Sequence, residues 1–393
     1  MTRRRKAAII AILSSAAFVL IATVLEGGAR LLGYRDRAVK RYSLLRRFDP
    51  VVGWVYQPHS EWQVATTRGL IYGTTDGDGF RPLVGSANDS AGPVILCLGD
   101  SYTFGAETPD DRTWPECLSR ALAAKGRPCR VLNRGVTGYN SLQSLLVLRQ
   151  TLARDPRASK LRAVIYLYCY NDPSENYEEN RPHFESADRA ETLASLKAGQ
   201  ARVLPPAPFH PDRARSFLRS VRDRSAFINA IHPEEKDLSE EAFKAGARRS
   251  VKYFPPMFPA FLSKEPLQEG MRHAFRELKK ECDARGVPLL VASCVVQALD
   301  DPGARREFAG YVGWSASQAE DQVAAYQASL ELVKRLVEET GARHVDLRGC
   351  LGGLSYRDTL AGPNNWHYSV DTNERIAGVL AEQLQRPLDE PPK

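Results

Sequence analysis

The chain has 393 residues, enough for one large hydrophobic core or two modest ones, and its composition is ordinary for a globular protein. Its net charge of +7 is concentrated at the N-terminus, because residues 1–47 hold eleven Lys and Arg against Glu26 and Asp36. A nucleic-acid-binding domain carries its positive charge on the folded part, so this distribution excludes DNA and RNA as expected partners. The cysteines and histidines show no clustered spacing, and no metal or cofactor is expected.

An apolar segment lies close to the N-terminus. Residues 7–25 are uncharged and mostly apolar, they follow four basic residues at positions 3–6, and a helix of that length spans about 28 Å. We therefore predict that residues 1–25 form a short cytoplasmic segment followed by a transmembrane anchor. A cleaved signal peptide is the alternative, but residues 25–30 lack a small-residue cleavage pattern. The basic cluster favours a cytoplasmic N-terminus, which predicts a single-pass bacterial inner-membrane protein with a periplasmic main domain.

Two segments connect this anchor to the main domain. Residues 26–47 are predicted to form a basic juxtamembrane helix, over 27–42, or a linker, and their basic side chains suit an anionic lipid surface. Residues 48–90 contain short β-like runs that are interrupted by Pro and Gly. We expect these residues to form a small extension packed on the sheet that follows.

A buried strand then leads directly to a serine. Val94 to Leu98 is a continuous apolar run, which is typical of a central strand covered on both faces of a parallel sheet. Ligands bind beyond the carboxyl ends of the strands in open α/β sheets, so Ser101 is predicted to lie at a ligand-binding edge. The alternative role for this serine is that of a helix N-cap.

Strands and helices alternate through the rest of the chain, on both sides of a long insertion. Further strands are predicted at 130–132, 163–168, 287–294 and 344–347, and helices at 111–124, 141–153, 267–285, 316–340 and 372–384. Crossovers of this length imply parallel strands with right-handed connections, and hence a parallel sheet of at least five strands.

The insertion is polar and proline-bearing, and it occupies residues 174–265. Two helices are predicted within it, at 188–198 and 211–231. Because it leaves the sheet at a ligand-binding edge, we expect a substrate lid, and a purely structural flap is the alternative.

Four short motifs resemble, in the same order, the conserved blocks of the SGNH (GDSL-type) hydrolases. Their sequences are G-D-S-Y-T-F-G at 99–105, V-L-N-R-G-V-T-G at 131–138, N-D at 171–172 and W-H at 366–367. The upstream motifs D-x-x-x-G-W at 49–54 and G-F-R at 79–81 are similar to those of membrane-anchored bacterial SGNH proteins.

The resemblance implies a flavodoxin-like three-layer α/β sandwich over residues 91–390. It also implies a serine ester hydrolase or O-acyltransferase that acts on an acylated carbohydrate or lipid. Ser101 matches the nucleophile and His367 the base, while the N–H groups of Ser101 and Gly138 and the Asn171 side chain match the oxyanion hole.

The chain departs from the family pattern at the acid that orients the histidine. The family has an aspartate two or three residues before the histidine, where this chain has Asn364 and Asn365. An asparagine can accept the imidazole N–H but offers no charge to stabilise the imidazolium. Three alternatives follow.

The first alternative is a Ser–His dyad oriented by Asn364. The second is an acid from elsewhere, with Asp346, Asp358 and Asp371 as the candidates. The third is a catalytically impaired protein that binds carbohydrate or supports assembly of the cell envelope.

Overall fold

A computed structural model describes residues 3–32, 45–49, 51–66, 69–85, 92–173, 240–251, 254–361 and 367–384. The chain divides into two units. Helix α1 (Arg3–Leu31) belongs to one, and the described residues from Leu45 onward form the other.

Helix α1 is one continuous helix with an exposed apolar surface. Its segment Ile12–Leu31 is long and apolar enough to cross a membrane, and a signal sequence would have the same properties. Helix α1 continues past residue 25 to Leu31, and an ion pair of 2.8 Å joins Glu26 to Arg30 one turn later. The predicted juxtamembrane helix beyond residue 32 lies mostly outside the described residues.

The N-terminal extension consists of two antiparallel hairpins. The strands are β1 (Arg46–Asp49) with β2 (Gly53–Tyr56), and β3 (Glu61–Thr66) with β4 (Gly69–Thr74). Oδ1 of Asp49 accepts the N–H groups of Val51 and Val52 at 2.8 and 3.0 Å. This carboxylate closes the first turn, which explains the aspartate of the D-x-x-x-G-W motif.

Arg81 of the G-F-R motif joins the extension to the main domain. Arg81 is 2% exposed, and its guanidinium lies 2.9 Å from Asp110 and stacks over the rings of Trp62 and Phe104. Burial lowers the pKa of Arg81 to about 10, although the neighbouring Asp110 carboxylate opposes this change. A buried charge requires a partner, so Asp110 is essential to this junction.

The main domain contains a five-stranded parallel sheet, as predicted. The strands are β5 (Val94–Gly99), β6 (Arg130–Asn133), β7 (Leu161–Tyr168), β8 (Leu289–Ser293) and β9 (Arg343–Val345). Their order in the sheet is β6-β5-β7-β8-β9, the order of flavodoxin-like folds. The chain passes from β5 to β6 on one side and then to β7 on the other side of β5. This reversal of strand order opens a crevice at the carboxyl end of β5.

The helices of the described chain follow α1 in order. They are α2 (Ser101–Phe104), α3 (Trp114–Ala124), α4 (Ser141–Arg154), α5 (Glu240–Ser250), α6 (Phe254–Ser263), α7 (Glu265–Asp283), α8 (Gln297–Asp300), α9 (Pro302–Val312), α10 (Ala316–Glu338) and α11 (Val370–Gln383).

Successive residues of the central strand β7 contact different helix layers. Ile165 belongs to the core shared with Trp114 of α3 and Ile376 of α11, whereas the ring of Tyr166 packs against Phe275 of α7. The sheet is therefore covered on both faces, which explains why its strands are continuous apolar runs.

Five helices of the described chain have no counterpart among the predicted helix ranges, and the first of them is the single turn α2. Helices α5 and α6 lie in the predicted insertion, and α8 and α9 follow β8. The prolines of α6 argue against a helix. Pro255 and Pro256 occupy its first turn, where a missing N–H costs little, whereas Pro259 lies inside the helix. The helices predicted at 188–198 and 211–231 lie outside the described residues, and the lid remains a prediction.

Removal of the partner of Arg81 tests the junction between the extension and the main domain. We expect Asp110→Ala to lower the free energy of unfolding by about 3 kcal/mol, because it leaves a buried guanidinium unpaired. The control is Asp111→Ala, since Asp111 is exposed and lies 3.8 Å from Arg112. Equal unfolding free energies of the two variants in urea would contradict a structural role for the Arg81 ion pair.

Candidate active site

Ser101 lies at the carboxyl end of the central strand β5 and is the first residue of α2. The turn between them requires a glycine at position 99, because φ is +145° and a Cβ would lie 2.4 Å from Oγ1 of Thr103. Asp100 caps the short helix by accepting the N–H of Tyr102 at 2.9 Å. The N-cap role considered for Ser101 therefore belongs to Asp100, and Ser101 is left partly exposed at the sheet edge.

Gly138 lies on the loop after β6, the strand beside β5. Its φ of +76° is a left-handed conformation that favours glycine. At the start of this loop, the buried Asn133 donates to the carbonyl oxygen of Thr103 at 2.8 Å and accepts the N–H of Gly135 at 3.0 Å. Asn133 thus connects the Gly138 loop to the helix that begins with Ser101.

The N-terminal extension holds the same loop from the other side. Nη2 of Arg46 donates to the carbonyl oxygen and the hydroxyl of Thr137 at 2.6 and 2.7 Å. The indole N–H of Trp54 donates to the same carbonyl oxygen at 3.3 Å, and the Tyr56 hydroxyl contacts that of Thr137. Sequence analysis did not predict that Arg46 positions the residue next to Gly138.

Asn171 lies in the turn after β7, on the other side of β5. Its Oδ1 atom is buried and meets no donor among the described residues, while its side chain forms a hydrogen bond with Asp100. The structure therefore brings Ser101, Gly138 and Asn171 to the ends of three adjacent strands.

His367 packs against the residues that flank Ser101. The centroid of its ring lies 5.4 Å from that of Tyr102 in an edge-to-face contact, and its charge interacts with Asp100. The neighbouring Tyr368 fixes this segment, because its hydroxyl accepts the N–H of Val295 at 2.7 Å. These contacts hold the imidazole beside the β5 crevice.

The carboxylate beside His367 belongs to Glu107. Oε1 of Glu107 lies 3.2 Å from Nδ1 of His367, and the Glu107 side chain is 1% exposed. This is an ion-pair distance, although the contact does not meet hydrogen-bond geometry. Such contacts commonly tighten when substrate binds. The contact at Nδ1 leaves Nε2 as the ring nitrogen that can act as a base.

The segment that carries Glu107 is held on both sides through Thr108. Nδ2 of Asn373, on α11, donates to the Thr108 hydroxyl at 3.1 Å. Nη2 of the buried Arg81 donates to the Thr108 carbonyl oxygen at 2.5 Å. The helix that follows His367 and the N-terminal extension therefore both fix the position of Glu107.

The acids proposed from the sequence have other surroundings. Asp346 forms an ion pair with Arg348, and Oδ2 of Asp358 accepts the Ser355 hydroxyl at 2.8 Å. Asp371 is in the first turn of α11. Within the described part of the chain, the carboxylate paired with His367 is that of Glu107, not one of these three. Asn364 and Asn365 lie outside the described residues.

Two neighbouring carboxylates control the protonation of His367. Burial, the largest single cause, lowers its pKa, but the charges of Glu107 and Asp100 outweigh this and raise the pKa above the usual 6.5. Burial also raises the pKa of Asp100, to about 6. The site therefore stabilises an imidazolium, which is what a serine hydrolase requires of its base during attack.

The sequence indicates only weakly that Glu107 is the acid beside His367. The residue follows Gly105 and Ala106, in a loop that continues directly from the serine motif. The family pattern places the acid shortly before the histidine, and it therefore gives no reason to expect the acid beside the serine motif. Glu107 is close in sequence to the nucleophile Ser101, but the number of residues between them does not indicate that its carboxylate reaches His367.

Comparisons with known proteins agree with the motifs. A family model described as "GDSL-like Lipase/Acylhydrolase family" matches residues 97–376. An arylesterase of Vibrio mimicus is 34% identical over 67 residues, which are 17% of this chain. The chain spans 34% of the length of that curated relative.

Two solved structures are also similar to the chain. TesA shares 12% identity over 75% of this chain and 99% of its own, with a TM-score of 0.37. AlinE4, described as an SGNH-hydrolase family esterase, shares 14% identity over 76% of this chain and 97% of its own, with a TM-score of 0.32.

Neutralising Glu107 tests its role at His367. We expect Glu107→Gln to lower ester turnover by roughly 10³- to 10⁴-fold, as the corresponding loss of charge does in serine proteases. The acidic limb of the pH–rate profile should also move to lower pH, because burial then lowers the pKa of His367 without opposition from Glu107. Steady-state kinetics between pH 5 and 9 measure both effects.

Two control variants complete this test. Glu116→Gln removes another buried carboxylate, one located on α3, and should leave the pH profile unchanged. Asn364→Asp should raise turnover less than tenfold if Glu107 already supplies the charge. A large gain from Asn364→Asp, together with little loss from Glu107→Gln, would assign the orienting role to residue 364.

Proposed function

The chain belongs to the GDSL-like lipase/acylhydrolase family, and we propose that it hydrolyses an ester through an acyl intermediate on Ser101. The observation that carries this proposal is the carboxylate of Glu107 beside His367. It supplies the charge that the asparagines before His367 lack. The position of Ser101 at the end of β5, next to residues that contact His367, supports the same assignment.

The first step is attack on the ester carbonyl. Nε2 of His367 takes the proton of the Ser101 hydroxyl as its oxygen bonds to the carbonyl carbon. The imidazolium that forms is stabilised by Glu107 at Nδ1. The proton then passes to the leaving alcohol oxygen as the C–O bond breaks, and water hydrolyses the acyl-serine with His367 again acting as base.

Negative charge on the carbonyl oxygen requires donors. The backbone N–H groups of Ser101 and Gly138 and the side-chain amide of Asn171 fill this role. Each donor of this kind typically contributes about 3 kcal/mol to transition-state stability. The hydrogen bonds of Arg46 and Trp54 to Thr137 keep the Gly138 loop in place, so the donor is arranged before substrate arrives.

A second candidate function is a catalytically impaired binding protein of the same fold. The argument for it is that asparagines, and not an acid, stand at positions 364 and 365 before His367. Because Glu107 lies 3.2 Å from the imidazole, that reason no longer favours the impaired protein over the enzyme.

Helix α1 supports a proposal about where the enzyme is located. We propose that α1 is retained as a membrane anchor and that the main domain acts on an acylated carbohydrate or lipid at the outer face of a bacterial inner membrane. Its exposed apolar side chains, such as Phe18 at 73% and Leu20 at 65%, support this placement. An O-acyltransferase would share the acyl-Ser101 intermediate and differ only in using a sugar hydroxyl in place of water.

The nucleophile can be tested by substitution and by labelling. Ser101→Ala should abolish hydrolysis of p-nitrophenyl acetate and prevent labelling by a fluorophosphonate probe. It should change the free energy of unfolding by less than about 1 kcal/mol, because a partly exposed hydroxyl contributes little to folding. Mass spectrometry of the labelled chain should identify Ser101. Wild-type turnover in the variant would exclude Ser101, and an unlabelled, inactive wild-type protein would favour the binding protein.

The anchor can be tested by truncation. Removing residues 1–32, which contain the whole of α1, should move the protein from the membrane fraction to the soluble fraction. The truncation should stop short of Arg46, because this residue holds the Gly138 loop. If the full chain is expressed and the protein recovered from the periplasm lacks its first residues, α1 is instead a cleaved signal peptide.

A further inference from the structure

We propose that the guanidinium of Arg46 binds an anionic group of the substrate, a carboxylate or a phosphate, beside Gly138. This inference rests on the proposed ester hydrolysis, because it names a property of the substrate of the same site. The residues that carry it all belong to the main-domain unit, which begins at Leu45.

Arg46 reaches Gly138 from the N-terminal extension. A Cβ placed on Gly138 would lie 3.2 Å from Nη2 of Arg46 and 3.4 Å from Cζ2 of Trp54. Since a Cβ is one bond from its Cα, the guanidinium lies within about 5 Å of the Gly138 Cα. Gly138 is a proposed donor to the carbonyl oxygen of the ester. A group bound by Arg46 would therefore be part of the reacting substrate.

Several contacts fix the orientation of this guanidinium. Nη2 of Arg46 donates to the carbonyl oxygen and to the hydroxyl of Thr137, and the guanidinium carbon lies 4.9 Å from the ring centroid of Trp54. The indole is held in turn by its N–H bond to Thr137 and by edge-to-face packing on Tyr139, at 5.5 Å between centroids. A guanidinium held in this way loses little side-chain entropy when it binds a ligand.

The charge of Arg46 is not balanced by an acid in the described part of the chain. Its partners there are neutral, namely Thr137 and the hydroxyl of Tyr56, whose pKa burial raises above the usual 10. Asp49 is the acid of the same strand, but it is three residues further on, about 10 Å away along the strand, and accepts the N–H groups of the turn that follows.

The guanidinium also keeps donors for a ligand. Arg46 is exposed, and two of its five N–H groups donate to Thr137. Those on Nε and Nη1 donate to no carbonyl or carboxylate oxygen of the residues that the structure describes. A fixed positive charge with donors on its open edge is therefore available beside Gly138.

An anionic group is the ligand that fits these surroundings. A hydrocarbon chain laid over Arg46 would remove water from the charge and offer no hydrogen bond in return. A neutral hydroxyl would accept one hydrogen bond but would leave the charge unbalanced. A carboxylate or a phosphate accepts two N–H groups in parallel, and such charge-assisted bonds are roughly twice as strong as neutral ones.

The other charges of the site favour the same placement. Asp100 and Glu107 are buried, and both interact with His367. They repel an anion from the imidazole, whereas Arg46 attracts it toward Gly138. An anionic substrate would therefore be oriented with its charge away from the base.

Unreactive ligand pairs isolate the contribution of the charge. We expect 4-acetamidobenzoate to bind the full chain about fivefold more tightly than the uncharged 4-acetamidobenzamide. This pair places the charge in the alcohol half. Adipic acid monoanilide and its methyl ester place it in the acyl half. Ligand-observed NMR titration in digitonin, an uncharged detergent, measures both pairs. High salt should reduce the preference, because partly exposed charges are screened.

Variants identify the cation. Arg46→Gln should reduce the preference for the anion toward one, and Arg46→Lys, which keeps the charge but not the fork, should retain part of it. Arg47→Gln is the matched control, since Arg47 is the exposed arginine next in the chain, and it should retain the full preference. Equal binding within both pairs by the wild type, or a preference that Arg46→Gln leaves unchanged, would overturn the proposal.

A further variant separates recognition from positioning of the Gly138 loop. Trp54→Phe removes the indole bond to Thr137 but keeps the charge of Arg46. It should weaken turnover of charged and uncharged esters alike and keep the preference for the anion. Loss of that preference in Trp54→Phe but not in Arg46→Gln would assign recognition to the indole and overturn the proposal.

Two comparisons define the anionic group and its relation to catalysis. Tighter binding of 4-acetamidophenyl phosphate than of 4-acetamidobenzoate would identify a phosphate, and the reverse a carboxylate. A higher kcat/KM for 4-acetoxybenzoate than for 4-acetoxybenzamide, lost in Arg46→Gln, would show that the bound anion belongs to a reacting ester. Ligand binding requires no turnover, so an inactive protein that still prefers the anions would separate failure of the proposed hydrolysis from failure of this site.

Discussion

The contact between the Glu107 carboxylate and the His367 imidazole is the interaction on which the rest of the site depends. It supplies the negative charge that a serine hydrolase needs beside its base, and Glu107 does so from a loop that is distant in sequence from His367. Several otherwise unrelated features maintain it. Asn373 and Arg81 fix Thr108, and Arg81 in turn requires Asp110, so the N-terminal extension contributes to the active site without entering it.

The parallel sheet and the positions of Ser101, Gly138 and Asn171 were predictable from the sequence for a physical reason. Strands buried on both faces must be continuously apolar, and each of these residues follows such a strand within a few positions. Parallel strands bring their carboxyl ends to one edge, so the grouping of these residues needs no knowledge of side-chain contacts.

The partner of His367 was not predictable in the same way. Glu107 lies on the loop after the single turn α2, and this loop contacts α11 through the hydrogen bond of Thr108 with Asn373, which no local sequence pattern records. Arg46 likewise acts on Thr137, 91 positions away, and only tertiary packing determines such a contact.

Titration of His367 tests the central claim most directly. Histidine-labelled protein can be followed by NMR between pH 4 and 9, with the His367 signal assigned by its loss in His367→Gln. The ion pair with Glu107 predicts a pKa above 6.5 in the native protein and a fall below that value in Glu107→Gln, where burial is no longer outweighed. A pKa at or below 6.5 that Glu107→Gln does not change would contradict the account.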